Sequence, residues 1–210
     1  MANYCSNSIR FISRDRAKLA VFLRKVYAAF DSRTSEFYNL LVLHGYTNKQ
    51  IAGMTDRRDA ITHCDTKLSA DGDVFSFGVD TETAWSPHME VFYRLIGEKY
   101  GGAIRMVYRS EECGCGIYIN TDAEGRYFPE RYVVDCCHVG EYHKEYFDSY
   151  EDAMEWIRGE YREFGFGLFD TAEDVERKVQ ELAGPEDDGF FSFHEFVMDD
   201  GHAAAEREVA

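Results

Sequence analysis

No stretch of about 18 consecutive apolar residues occurs in the 210-residue chain, so no segment reads as a membrane-spanning helix. The opening MANYCSNSIRF has neither a charged n-region nor an apolar h-region, and no secretory signal is expected from it. Internal repeats and low-complexity linkers are missing too, which argues against a solenoid or a flexible tether. Walker, Rossmann and kinase signatures are absent, and with them the glycine loops that cradle phosphates. The six cysteines accompany no secretory signal, so they read as reduced thiols of a cytoplasmic protein sooner than as a disulfide framework.

What the chain does have is apolar and aromatic mass, 45% and 15% of residues, enough for one ample domain or a domain with an appended subdomain. It also has a divided charge. Residues 1–58 hold ten Lys/Arg against four Asp/Glu, whereas residues 106–210 hold nine against 27. The far fields of the two stretches therefore attract opposite partners. A solvated acidic surface that only maintains solubility accounts for the same numbers.

Loose alternation over 4–13 predicts a strand. Leu19, Phe22, Leu23, Val26, Tyr27 and Phe30 fall at helical spacing over 15–30. Two short helices are expected within 34–55. The first ends at Gly45, and the second opens on the capping box Thr47-x-x-Gln50, giving a helix-turn-helix outline. Strands over 60–67 and 74–80 flank a turn-prone Ser-Ala-Asp-Gly-Asp stretch. Ser86 and Pro87 suit the cap and first position of a helix that Gly101-Gly102 would stop, and a strand resumes over 103–108. The order predicts an α+β protein with a ferredoxin-like β-α-β-β-α-β antiparallel sheet and a helical insertion at 34–55. This domain is expected over residues 1–135, including a hairpin of 115–121 with 126–135. An acidic α+β extension is expected over 136–210, with helices opening at Ser149-x-x-Asp152 and Thr171-x-x-Asp174 and a last strand over 189–198.

Several stretches together carry a resemblance. The start Asn3-x-Cys5-x-Asn7, the element Asp65-Thr66-Lys67, the segment FSFGVDTETAWSPHMEVF and the turn SEECGCGIY resemble the YubB-like ferredoxin-like family of phage and conjugative-plasmid proteins. The likeness spans roughly residues 2–135. It implies an accessory protein of a mobile genetic element and brings no catalytic residues with it.

The residues themselves offer several candidate chemistries. Asp80, Glu82 and His88 would serve a metal-dependent hydrolase if burial raised a carboxyl or a metal bridged to the imidazole. Alternation, however, puts Asp80 and Glu82 together on one face of a strand, where acids are usually solvated. Cys113, Cys115, Cys136, Cys137, His138, His63 and Cys64 are zinc-type ligands at spacings that suit a structural tetrahedron poorly. Cys137 with His138 or His143 would be a nucleophile pair, without any surrounding signature. Setting Gly189 at position 6 of a calcium loop puts Glu195 at position 12, but Gly184 stands where the first carboxylate is needed. Phe75 and Phe77 share a strand face, as base-stacking aromatics do in RNA-binding sheets, yet a full RNP1 pattern is missing and a core role fits equally.

These readings converge on a non-catalytic protein without a cofactor. Its acidic part is expected to bind a host nuclease, or a nuclease–guide RNA complex, as an inhibitor of restriction or RNA-guided (CRISPR) defence. Carboxylate arrays can occupy sites built for phosphates. The expected contacts are Glu151, Asp152, Glu155, Glu173, Asp174, Glu176, Asp187 and Asp188, with Arg14 and Arg24 touching nucleic acid or the enzyme. The alternative is direct binding of RNA or single-stranded DNA by the basic first helix and the sheet aromatics.

Overall fold

The computed structural model describes residues 3–56, 58–138, 141–162, 165, 167, 171–182 and 190–198. The chain is α+β and divides into two compact units, the first running to Asp122 and the second spanning Ala123–Met198.

The first unit is organised by two long strands. β1 (Tyr4–Ser13) pairs antiparallel along its whole length with β4 (Val74–Ala84), from Tyr4 opposite Ala84 to Ser13 opposite Phe75. On its other side β1 pairs β5 (Arg105–Glu112), with Asn7 opposite Ser110. β2 (Ala60–Cys64) and the short β3 (Ser69–Asp71) both pair β4, and β6 (Ile117–Asn120) pairs β5. The spatial order is thus β6-β5-β1-β4-β2. The pleat sends Ile9 and Phe11 to the same face as Phe77 and Val79, and all four are buried.

Two helices cover that face. α1 (Arg16–Asp31) starts where Asp15 accepts the Lys18 N–H at 3.0 Å, and it buries Leu19, Phe22, Leu23, Val26 and Ala29. α4 (Glu90–Tyr100) buries Val91, Phe92, Leu95 and Ile96 and ends on Gly101 and Gly102, both at positive φ. The Phe11 ring lies 4.9 Å from Phe22 of α1 and 5.3 Å from Phe92 of α4, so one strand residue joins both helices to the sheet. Each such ring, fully buried, contributes about 1.5–3 kcal/mol by leaving water.

Between α1 and β2 lie α2 (Glu36–Leu43) and α3 (Asn48–Ile51). The Thr47/Gln50 capping box forms, and Gly45 takes the left-handed conformation at φ 81°. α3 is a single turn of four residues, too short to lay a reading helix along a DNA groove.

The second unit has its own three-stranded sheet, ordered β8-β7-β9 from β7 (Tyr132–His138), β8 (Glu141–Phe147) and β9 (Phe190–Glu195). α5 (Tyr150–Glu160) and α6 (Ala172–Leu182) belong to it. Val134 and Cys136 of β7, Met154 and Ile157 of α5, Tyr161, Val175 of α6 and Phe191 of β9 share a core of their own.

Three sequence expectations change here. The hairpin of 115–121 with 126–135 does not form: β6 pairs β5, while β7 pairs β8 and β9. The division accordingly falls after Asp122, and residues 123–135, expected in the first domain, lie in the second unit. Helix α4 begins at Glu90, later than Ser86 and Pro87 suggest. Trp85 takes φ 68°, and the Ser86 carbonyl accepts the Thr83 hydroxyl at 2.7 Å, so the chain turns there before the helix starts.

Candidate functional site

The β4-to-α4 joint gathers a compact set of polar groups. Asp59, whose side chain is 0% exposed, accepts from His88 Nδ1 at 2.9 Å and from the Asp56 N–H at 2.7 Å. The Ala84 N–H approaches its other oxygen at 3.4 Å. The hydrogen bond it donates to Asp59 holds the His88 imidazole above its ordinary range, against the opposing pull of burial. Arg58 pairs with Asp56 at 3.1 Å and places its guanidinium over the exposed Trp85 ring. His88 is therefore the partner of Asp59, and neither Asp80 nor Glu82. Those two acids sit on the opposite sheet face from the buried Thr81 and Thr83, Asp80 half-buried beside β1 and β2 and Glu82 exposed. The joint is a carboxylate-oriented histidine in a structural turn. Asp59, its principal residue, drew no notice in the sequence because it lies 29 positions before its partner.

The stretches that carry the family resemblance have structural work of a specific kind. Asn7, buried at the centre of the sheet, donates from Nδ2 to the Thr81 and Thr83 hydroxyls at 3.2 and 3.0 Å and to the Cys5 carbonyl at 3.1 Å. Its Oδ1 accepts the Ser110 hydroxyl at 2.7 Å, so one amide ties β1, β4 and β5. Asp65 accepts the Gly78 N–H at 2.6 Å and Arg10 Nη1 at 3.2 Å. The Arg10 guanidinium lies over Gly78 so closely that a Cβ there would meet it at 3.1 Å. Glu112 accepts the Gly114 and Cys115 N–H groups and closes the Cys113–Cys115 turn.

Among the described residues, no group of three or more His, Cys, Asp or Glu side chains is placed to hold a metal ion. Cys5 and Cys64 are buried, and burial pushes each thiol up to about 12. Such thiols stay protonated and unreactive near neutrality. Cys137 lies opposite Tyr142, and His143 opposite Cys136, so Cys137 and His143 project from opposite sheet faces and cannot act as a pair. Phe190–Glu195 is a strand paired to β7, which removes Phe191 and Glu195 from any calcium loop. Residues 183–189, where that loop would begin, lie outside the described residues, as do Asp187 and Asp188.

The remaining expected contacts separate by role. Glu151, Glu155 and Glu173 are exposed and form no ion pair among the described residues. Asp152 and Asp174 instead serve helix starts. Ser149 donates its hydroxyl to Asp152 at 2.6 Å, and the Asp152 N–H returns a bond to that hydroxyl at 3.1 Å. Asp174 accepts the Thr171 N–H and hydroxyl, each at 3.0 Å. Those bonds, with Arg177 beside it, hold its carboxyl below the usual range. Glu176 is half-buried. Arg14 pairs with Asp73 at 3.3 Å, both side chains largely exposed.

Arg24 is different. It lines an open groove of about 660 Å³ between α1 and the β3–β4 hairpin, together with Arg16 of α1 and Lys67. The floor is apolar: Leu23, Leu68, Phe75 and two alanines of α1. Phe77 lies wholly in the core, whereas Phe75 is half-buried at the groove with the Arg16 guanidinium 5.8 Å over its ring. Scans of the whole chain against protein-family models, curated proteins and solved structures find no match.

Proposed function

We propose that the chain is a non-catalytic binding protein whose second unit presents carboxylates to a basic surface on a host enzyme that processes nucleic acid. One observation carries this reading: most of the net charge falls in the second unit. Residues 1–122 contain 15 Lys/Arg and 15 Asp/Glu, whereas residues 123–198 contain seven and 20. Glu151 and Glu155 stand one helical turn apart on the exposed side of α5, and Glu173 opens α6, all without a cationic partner among the described residues. An array of this kind suits a site built to neutralise distributed negative charge. The ferredoxin-like assignment of the first unit rests on the order β5-β1-β4-β2, antiparallel throughout, with α1 before β2 and α4 before β5. With the family resemblance, it supports an accessory protein of a phage or plasmid, and a restriction or RNA-guided nuclease is the partner class that fits.

The test compares the native chain with the triple reversal Glu151→Lys, Glu155→Lys, Glu173→Lys in affinity capture from host lysate, with and without nuclease treatment. The native chain is expected to retain a nucleic-acid-processing protein after nuclease treatment, and the triple variant is expected to lose it. Retention of the same protein by the variant, or recovery of nucleic acid alone, overturns the proposal.

A further inference from the structure

The groove along α1 is a second candidate binding face, within residues 1–122, where bases and acids are equal in number. Arg16 and Arg24 stand eight residues apart on one helix, about 12 Å along its axis. Ala20 lies midway between them, at the i+4 position from each, so the wall between the two cations is low. Lys67 reaches the groove from the segment between β2 and β3. The neighbouring cations Arg14 and Lys18 are paired with Asp73 and Asp15. Arg16, Arg24 and Lys67 have no carboxylate partner among the described residues.

We propose that this groove binds single-stranded nucleic acid without sequence preference, with a base stacked at Phe75 and phosphates on Arg16, Arg24 and Lys67. Three features select this occupant. An aromatic ring at the base of a cationic, open-sided groove is the arrangement that accepts a stacked base while the backbone is tracked by charge. The floor of Leu23, Leu68 and Phe75 carries no side-chain hydrogen-bonding group, so it has no means of telling one base edge from another. The cations are strung along the groove, as a polymer with a charge on every repeat requires. Phe75 and Arg16 also lie on the helix side of the sheet, since Phe75 shares its strand face with the buried Phe77. The open sheet face is not involved.

The experiment is fluorescence anisotropy of the full chain with labelled oligo(dT) and oligo(rU) of about 12 nucleotides, a length within the usual span of such sites. Both should bind with similar affinity. Three phosphate contacts predict that log K falls against log salt with a slope of about −2. Phe75→Leu, which keeps apolar volume but removes the stacking face, should weaken binding at least about fivefold. Arg24→Glu with Lys67→Glu should flatten the slope to about −0.7. Arg14→Glu, outside the groove, should leave binding unchanged, and thermal melts of each variant should confirm folding. Absence of binding at low salt overturns the proposal, and so does binding that survives the groove variants. Displacement of the oligonucleotide by poly-glutamate of equal charge also overturns it and assigns the groove to acidic polypeptide. The host enzyme is absent from this assay, so its outcome is separate from that of the acidic-surface proposal.

Discussion

The two units differ in how they divide interior from surface. The first holds the larger core, in which Phe11, Phe22, Phe37, Phe77 and Phe92 are all fully buried, and the charges of residues 1–122 balance. The second encloses a smaller cluster around Tyr161 and Phe191 and carries nearly three acids for each base. Surface acids cost a fold little as long as each can reach water. A small unit can therefore be loaded with like charge while its few buried contacts hold it together. The comparison places fold specification mainly in the first unit, and far-field charge in the second.

Each unit contains one tryptophan, Trp85 in the first and Trp156 in the second, so single-tryptophan variants report on them separately. The largest effect expected is from Phe11→Ala. Loss of the ring that joins α1 and α4 to the sheet should cost about 3–5 kcal/mol in urea unfolding followed at Trp85. The transition followed at Trp156 should stay in place. A matching shift at Trp156 would break the division of labour just described.

Acid should sharpen it. His44 is buried, donating from Nδ1 to the Leu40 carbonyl and accepting the Tyr100 hydroxyl at Nε2, and burial lowers its pKa to about 4. Between pH 6.5 and 4 the unfolded chain takes up a proton at this site that the folded chain refuses. Stability of the first unit should therefore fall by up to about 3 kcal/mol as pH drops through that window. His44→Gln should flatten the profile. His88 has the opposite sign: its contribution is complete below the unfolded value of 6.5 and is lost as pH rises through its raised folded pKa. Replacing His88 should lower stability at acidic pH and spare it at alkaline pH.

The smallest effect expected is from salt. Screening should raise the Trp156-reported stability by less than about 1 kcal/mol, because like charges crowd that unit, and leave the Trp85-reported stability nearly unmoved. Equal responses would show that the net charge of a unit has no bearing on its stability.

Features governed by neighbours in sequence were legible before the structure. The boxes at Thr47, Ser149 and Thr171 close within three residues, and each does so as its sequence indicates. The apolar faces of α1 and α4 follow from helical spacing alone. What failed depended on distant partners. Residues 126–135 read as a strand, but pairing with β8 and β9 instead of β6 is a choice among remote surfaces of similar pattern. The capping signal at Ser86-Pro87 was overridden by a left-handed tryptophan that reaches back to the Asn3 carbonyl at 3.2 Å. The groove was half visible. The sequence shows Arg24 as a charge, but its proximity to Lys67 and Phe75 exists only once α1 lies beside the β3–β4 hairpin.

The arginine lying across Gly78 has an evolutionary consequence. A Cβ at position 78 would press on the Arg10 guanidinium at 3.1 Å, so Arg10 would have to shift by a few tenths of an ångström, and its contact with Asp65 would shift with it. A substitution at one of these sites therefore alters the surroundings of the other two, and the three are expected to vary together among related sequences. Such joint variation would give a fingerprint for distant kin made of three scattered positions.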